Sequence, residues 1–331
     1  MNVGVLIETI FICLFLILTV VTNTVILCVA TWTESLRNVN KVYLYSMTYA
    51  DLGLGMFVMP FAVYCSIIYQ SGHGSVNPYL CHIQAYSTMI FILASLYSMA
   101  WINVDHYLAL RKPERYNLKM SRPRSLCWII FAWIAAISFC LPPLLSLLSW
   151  LQEQEFNHSV FICTVQIKSE TPYFITAGAL VLFPAFVCLS VTNAYLFTPF
   201  FKKKEKMYKV VLLEVSTRPK NYHINFVISL IFVGSWMPWC LVKACELFGT
   251  NIPAALNFCT FWLAMGNAYY KFFVYVCMSS EFRRGINVFI QQATCKCNGE
   301  RITLCFHPEH FSVNLIPGAC LKPSQGNQTP V

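Results

Sequence analysis

Apolar residues in this chain gather into seven long stretches, about 5 to 30, 42 to 68, 79 to 104, 126 to 149, 171 to 200, 222 to 247 and 254 to 279, with the charged residues mostly between them. Each reaches the roughly 20 residues that an α-helix needs to cross the hydrocarbon core of a bilayer. Neither 126 to 149 nor 171 to 200 holds any Asp, Glu, Lys or Arg. Each of these enters lipid without the ~2.5–3.5 kcal/mol assigned to a central charge. Helices are the predicted form, because lipid offers a backbone N–H or C=O no partner. The first stretch is longer than the apolar region of a signal peptide, follows no basic segment and has no Ala-x-Ala exit, so it is read as a helix that stays. The pattern predicts an all-α fold, a seven-transmembrane helix bundle.

Composition narrows the class further. The chain is 57% hydrophobic and 11% charged, whereas a water-facing shell uses roughly 25–35% charged residues. An ordinary soluble enzyme is excluded. At 15% aromatic, the chain is also far from the composition that stays disordered. No Gly/Ser/Pro-rich linker divides the stretches, so one membrane domain is expected over 1–297, followed by a flexible cytosolic tail over 298–331.

Charge then orients the bundle. All but Lys168, Lys243 and Lys271 of the 23 Lys and Arg lie after the first, third and fifth stretches or beyond residue 280. The positive-inside rule puts those segments in the cytoplasm, the N-terminus outside and the C-terminus inside a cell membrane. The net charge of +9 is therefore a topology signal, and no nucleic-acid partner is implied. The sequon Asn157-His158-Ser159 falls on the outer side and Asn327-Gln328-Thr329 on the inner, so Asn157 is the expected glycosylation site. Most of the 16 cysteines sit inside apolar stretches as small hydrophobes. Cys81, at the outer start of the third stretch, and Cys163, in the outer segment before the fifth, share the oxidising side, and a disulfide between them would pin that segment over the bundle mouth. Cys295 and Cys297 lie on the cytosolic side just past an amphipathic stretch and are read as palmitoyl acceptors.

Landmarks recur in every stretch. They are Asn23 in Thr22-Asn23-Thr24, Asp51 in Tyr49-Ala50-Asp51-Leu52 with Pro60 beyond, Asp105-His106-Tyr107 at the end of the third, Trp133 before Pro142 and Pro143, and Pro184 in the fifth. The sixth has Ser235-Trp236-Met237-Pro238 with Phe232 one turn before, and the seventh Lys271-Phe272-Phe273-Val274-Tyr275 followed by Phe282. Together with Cys81 they resemble the rhodopsin-like (class A) G-protein-coupled receptors over roughly residues 5 to 297, with the look of an orphan receptor. Two motifs depart from the family. Asp105-His106-Tyr107 stands where it has Asp-Arg-Tyr, and Lys271-Phe272-x-x-Tyr275 where it usually has Asn-Pro-x-x-Tyr.

The resemblance gives roles to particular residues. In the family the aspartate matching Asp51, with a helix 3 serine (Ser95 here) and a helix 7 asparagine (Asn267), binds a sodium ion that favours the inactive state. Lys271 replaces the last asparagine of that shell. Two readings follow: an Asp51–Lys271 ion pair in place of sodium, or a Lys271 that snorkels to the interface and leaves Asp51 with water or sodium. The family's arginine, always charged, is replaced by His106, whose unperturbed pKa of ~6.5 leaves it mostly neutral at cytosolic pH. Coupling is then weak or pH-sensitive, or the receptor acts through association. Arg218 stands where the family has its acidic helix 6 partner, and Thr192, with Tyr195 a turn away, where it has a helix 5 tyrosine. The implied switch is Asp105, His106, Tyr107, Phe232, Trp236, Pro238 and Tyr275.

Thr88 matches the aspartate of amine receptors, which argues against a monoamine anchored there, and Met265 matches the retinal-binding lysine, which argues against an opsin. Thr88, Met89, Ile92, Thr176, Trp236, Trp239 and Phe261 are the matched pocket walls. Lys243 near the mouth suits a carboxylate or phosphate, so a small apolar or acidic ligand is expected. Beyond Tyr275, Phe282, Ile286, Phe289 and Ile290 recur at helical spacing with Glu281, Arg283 and Arg284 off that face, which predicts a short amphipathic eighth helix on membrane lipid. Heterotrimeric G protein is the implied partner, with arrestin as a further one. The sequence places no metal cluster, nucleophile triad or Gly-rich phosphate loop where water reaches it, so no enzyme activity, cofactor or metal is expected. The rival readings are a transporter or channel, with Asp51, Asn267 and Lys271 lining a path, and a non-signalling interaction partner.

Overall fold

The computed structural model describes residues 3–32, 40–71, 76–111, 116, 120–146, 155–164, 179, 183–194 and 222–297. The first stretch is one helix, α1 (Val3–Trp32). The second is built in three pieces: α2 (Asn40–Gly53), a π-turn over Leu54–Val58 and α3 (Met59–Ser71). Pro60 accounts for the widened turn. Its nitrogen has no hydrogen for the carbonyl four residues back and its ring crowds that carbonyl, and the chain relieves the clash by letting Met59 N–H reach Leu54 O, one residue farther than in an α-helix.

The third stretch, α4 (Pro78–Arg111), runs past the end that hydropathy predicts, so Asp105-His106-Tyr107 is helical and buried at its first two positions. Hydropathy marks where lipid ends, whereas the helix continues as long as its neighbours pack against it. The fourth is α5 (Arg122–Ser146). A hairpin of β1 (Glu155–Asn157) and β2 (Ile162–Thr164) follows, antiparallel, with Phe156 opposite Cys163. Of the fifth, the described helix is α6 (Phe183–Ala194). The sixth is α7 (Tyr222–Leu247), carrying Pro238 inside it. The seventh, expected as one helix, is two: α8 (Ala254–Met265) and α9 (Asn267–Met278). They part at Gly266, whose carbonyl accepts from both Tyr269 N (3.1 Å) and Tyr270 N (3.2 Å).

Five of the described helices are long and apolar enough to span a membrane, and α6 and α8 are shorter apolar ones. Side-chain burial agrees with a lipid solvent. Ile7, Ile10, Leu14, Ile17 and Val21 recur three and four apart along α1 and are all exposed, while Ile12, Phe15 and Thr19 on its other side are buried. An exposed apolar stripe of that length would be an aggregation liability in water. The interior has two main clusters. One, at the hairpin end, joins Phe15, Met59, Phe161, Phe258, Phe261 and Trp262. The other joins Tyr43, Met99, Ile129, Leu189, Ile228 and Phe232 across α2, α4, α5, α6 and α7.

The chain then turns into α10 (Ser280–Cys297). Ser279 makes the corner: its N–H donates to Tyr275 O (2.9 Å) and its hydroxyl accepts from Phe282 N (3.1 Å), an N-cap. Arg283 Nη1 donates to Val276 O and Cys277 O, both at 2.9 Å, satisfying the carbonyls that end α9. Phe282 is buried against Phe272 and Tyr275, whereas Arg283 and Arg284 are exposed. Cys295 and Cys297 fall within the last turn of α10, not past it.

Candidate functional site

A carboxylate in a bundle interior needs an answering charge or a set of donors. Asp51, on the last turn of α2, has both. Its Oδ1 accepts from Ser95 Oγ of α4 at 3.0 Å, and its Oδ2 receives Lys271 Nζ from α9. Both charged side chains are 1% exposed, so Lys271 does not snorkel. Beside the pair lies a cavity of about 10 Å³, room for about one water, lined by Asp51, Ser95, Asn267, Ile92, Phe232 and Trp236. Neighbouring polar side chains tie the spans together at this depth. Asn23 Nδ2 donates to Ala268 O (2.9 Å), linking α1 to α9. Trp133 Nε1 donates to Ser46 Oγ (3.0 Å), which lies 2.8 Å from Ser98 Oγ, linking α5, α2 and α4.

A second polar group occupies the end away from the hairpin. His106 Nδ1 donates to Ile102 O at 2.7 Å, leaving Nε2 to accept from Asn225 Nδ2 of α7 at 3.0 Å. Asn225 Oδ1 in turn accepts from Tyr275 OH of α9 at 3.3 Å. One relay of neutral groups therefore joins α4, α7 and α9. Asp105, followed in the chain by His106, accepts from Tyr116 OH at 2.8 Å. Thr192 does not stand in for the tyrosine it replaces: its hydroxyl donates to Cys188 O of its own helix at 2.6 Å. The next residue, Asn193, accepts from Ser229 Oγ of α7 at 2.6 Å.

At the hairpin end, Cys81 and Cys163 form a disulfide between α4 and β2. Cys163 N–H donates to Gln84 Oε1 at 2.8 Å, and Gln84 Nε2 donates to Thr88 Oγ1 at 3.0 Å, so a matched wall residue is spent on bracing the hairpin. Met89 packs with Tyr86, Leu93, Ala136 and Phe139, against the fourth span. Trp236, Trp239 and Phe261 form one aromatic run, with ring centres 5.8 Å and 6.0 Å apart. Lys243 already has a partner, Glu246 Oε2 at 2.8 Å, and sits 5.9 Å from the ring centre of Trp239. Thr176, Arg218 and Tyr195 lie outside the described residues. Asn157, at the hairpin turn, accepts from Ser159 N at 3.0 Å through its own Oδ1.

The family described as 7 transmembrane receptor (rhodopsin family) matches residues 22–275. The chain belongs to the rhodopsin family of seven-transmembrane receptors. It is 24% identical over 337 residues to G-protein coupled receptor 161 of Xenopus tropicalis, covering 92% of this chain and 62% of that one. To the adenosine receptor A2a of Homo sapiens it is 23% identical over 359 residues, 92% of this chain and 86% of that one. To the 5-hydroxytryptamine receptor 2B of Dichotomyctere fluviatilis it is 29% identical over 191 residues, 56% of this chain and 39% of that one. The chain thus spans less than two thirds of the length of the first and the last of these. As a member of this family it is a multi-pass membrane receptor, a helical bundle whose relatives are receptors, not enzymes.

Within that family frame, sequence reasoning missed Asn225, Gln84, Glu246 and Tyr116. Asn225 carried a usable signal. It is the one amide in the apolar run that opens the sixth stretch, and a polar residue inside a span normally faces the bundle.

Proposed function

We propose that this receptor passes an extracellular or basal conformational signal to heterotrimeric G protein by moving α7 about the Pro238 kink beneath Trp236. The single observation that carries the reading is the His106–Asn225–Tyr275 relay, which joins three spans across the cleft that such a movement opens. A proline inside α7 removes one backbone hydrogen bond and supplies the hinge. Asp51, Ser95, Asn267 and Lys271 form the internal ion site of this reading, with the Lys271 ammonium in the place of sodium. The hairpin end faces outward with Asn157 as a glycosylation site. Residues 1–297 form the receptor domain, α10 lies on inner-leaflet lipid with Cys295 and Cys297 as palmitoyl acceptors, and 298–331 are a cytosolic tail open to arrestin.

Purified receptor in lipid nanodiscs, without ligand, is expected to speed nucleotide exchange on at least one class of purified heterotrimeric G protein. The same preparation in proteoliposomes is expected to pass no ions. Ion flux without nucleotide exchange would replace this reading with a channel or transporter. His106→Arg is expected to raise exchange, and an unchanged rate would remove the claim that this histidine limits coupling.

A further inference from the structure

The turn of the hairpin starts at the surface with the exposed His158, but its later part, leading into β2, is buried, whereas a connecting segment usually runs over the surface. Val160, Phe161 and Ile162 are 2%, 1% and 3% exposed and belong to the same core cluster as Phe15, Met59, Ala62 and Trp262. Phe161 has a φ of 57°, a conformation rare for a bulky L-residue and kept only where surrounding contacts over-determine it. Those contacts are rings. Phe161 meets Tyr69 of α3 at 5.8 Å and Phe258 of α8 at 6.4 Å, both edge-on. The next residue but one is fixed twice, by the disulfide to Cys81 and by its N–H to Gln84, which sets where the tip reaches.

From Phe161 an unbroken series of ring contacts leads to the hinge. It runs from Phe258 to Trp262 (6.1 Å), Phe261 (5.7 Å), Trp239 (6.0 Å), Trp236 (5.8 Å) and Phe232 (6.3 Å). The last two line the cavity beside Asp51. We infer that the tip Val160-Phe161-Ile162 is a tethered ligand: a short apolar peptide, supplied by the chain itself, that occupies a site between α1, α3 and α8 and holds the receptor closed. The tip is seated in the same structure in which His106, Asn225 and Tyr275 are joined; we take that state as the one the tip binds better, and an occupant favours the state it binds better. This inference rests on the receptor reading above.

The test uses full-length receptor in nanodiscs carrying Phe161→Gly or Phe161→Ala, with the Cys81–Cys163 bond checked by mass spectrometry. Hydrogen exchange of the backbone at 222–232 is expected to quicken by about fivefold or more in both, the lower end of ordinary coupling between linked sites. Acetyl-Val-Phe-Ile-amide is expected to slow it again in Phe161→Gly and to leave the parent unchanged. Phe161→Leu, which keeps an apolar tip and serves if the smaller variants fail to fold, is expected to move the same way by a smaller factor. Parent-like exchange in all three overturns the inference, as does a change in the alanine variant alone, because glycine also tolerates a positive φ and the effect would then belong to the backbone. Faster exchange at 222–232 without faster nucleotide exchange on G protein leaves the tethered ligand standing and removes the coupling reading instead.

Discussion

Lys271→Ala is expected to destabilise the receptor by about 3–5 kcal/mol, the range for stranding one member of a buried ion pair. Asp51 and Lys271 are each 1% exposed on their side chains, so the variant leaves a buried carboxylate held by Ser95 Oγ. One hydroxyl cannot replace the hydration that the carboxylate gives up on burial. The cavity beside it, about 10 Å³ and lined also by Asn267, admits about one water or a small cation at most. Sodium is therefore expected to recover part of the loss in Lys271→Ala and to do nothing for the parent, whose site already holds an ammonium. Asp51→Asn with Lys271→Ala should melt closer to the parent than either single variant, since it leaves no lone charge inside. Thermal unfolding in sodium against choline at equal ionic strength reads all four proteins. A Lys271→Ala receptor that melts with its parent, or a parent that sodium stabilises, would end the claim that the ammonium replaces the ion.

That pair also shows what a sequence can and cannot reveal of such a site. A lone carboxylate in the second stretch and a lone ammonium in the seventh are each costly in a span without a partner, which makes their pairing one of the two readings that the sequence offers. Ser95 and Lys271, which meet Asp51, are residues that the sequence singles out. The spans are legible for a similar reason: hydrophobicity is summed over some twenty residues, so a few errors do not move it. What stays hidden depends on single contacts. The π-turn at Leu54–Val58 follows from Pro60, but Pro60 alone does not say whether a helix kinks, widens or ends. The break at Gly266 lies within an apolar run that reads as one helix. Lys243 reads as a free cation until its neighbour one turn on, Glu246, is placed beside it. Phe161 is one apolar residue in a short segment between the fourth and fifth stretches, and neither periodicity nor motif tells that its backbone turns it inward.

Asn225→Ala is expected to raise ligand-independent nucleotide exchange about tenfold, provided the closed state dominates in the parent. In the closed state the amide gives one hydrogen bond to His106 Nε2 at 3.0 Å and takes one from Tyr275 OH at 3.3 Å. Alanine makes neither, and both partners are left within a packed helix interface. An unmet buried polar group costs about 1–3 kcal/mol, and the 3.3 Å bond contributes at the low end. In the open state water reaches the same groups, so the penalty falls on the closed state alone. A difference of about 1.4 kcal/mol is already tenfold in the closed-to-open ratio. Tyr275→Phe, which removes only the longer bond, should give a smaller rise. His106→Ala with Asn225→Ala should give less than the product of the two single effects, because either change breaks the same link. The relay is neutral throughout, so these ratios should hold across a wide range of salt concentration, unlike those of a surface ion pair. A folded Asn225→Ala receptor with parental or lower exchange would show that the link does not hold the cleft shut.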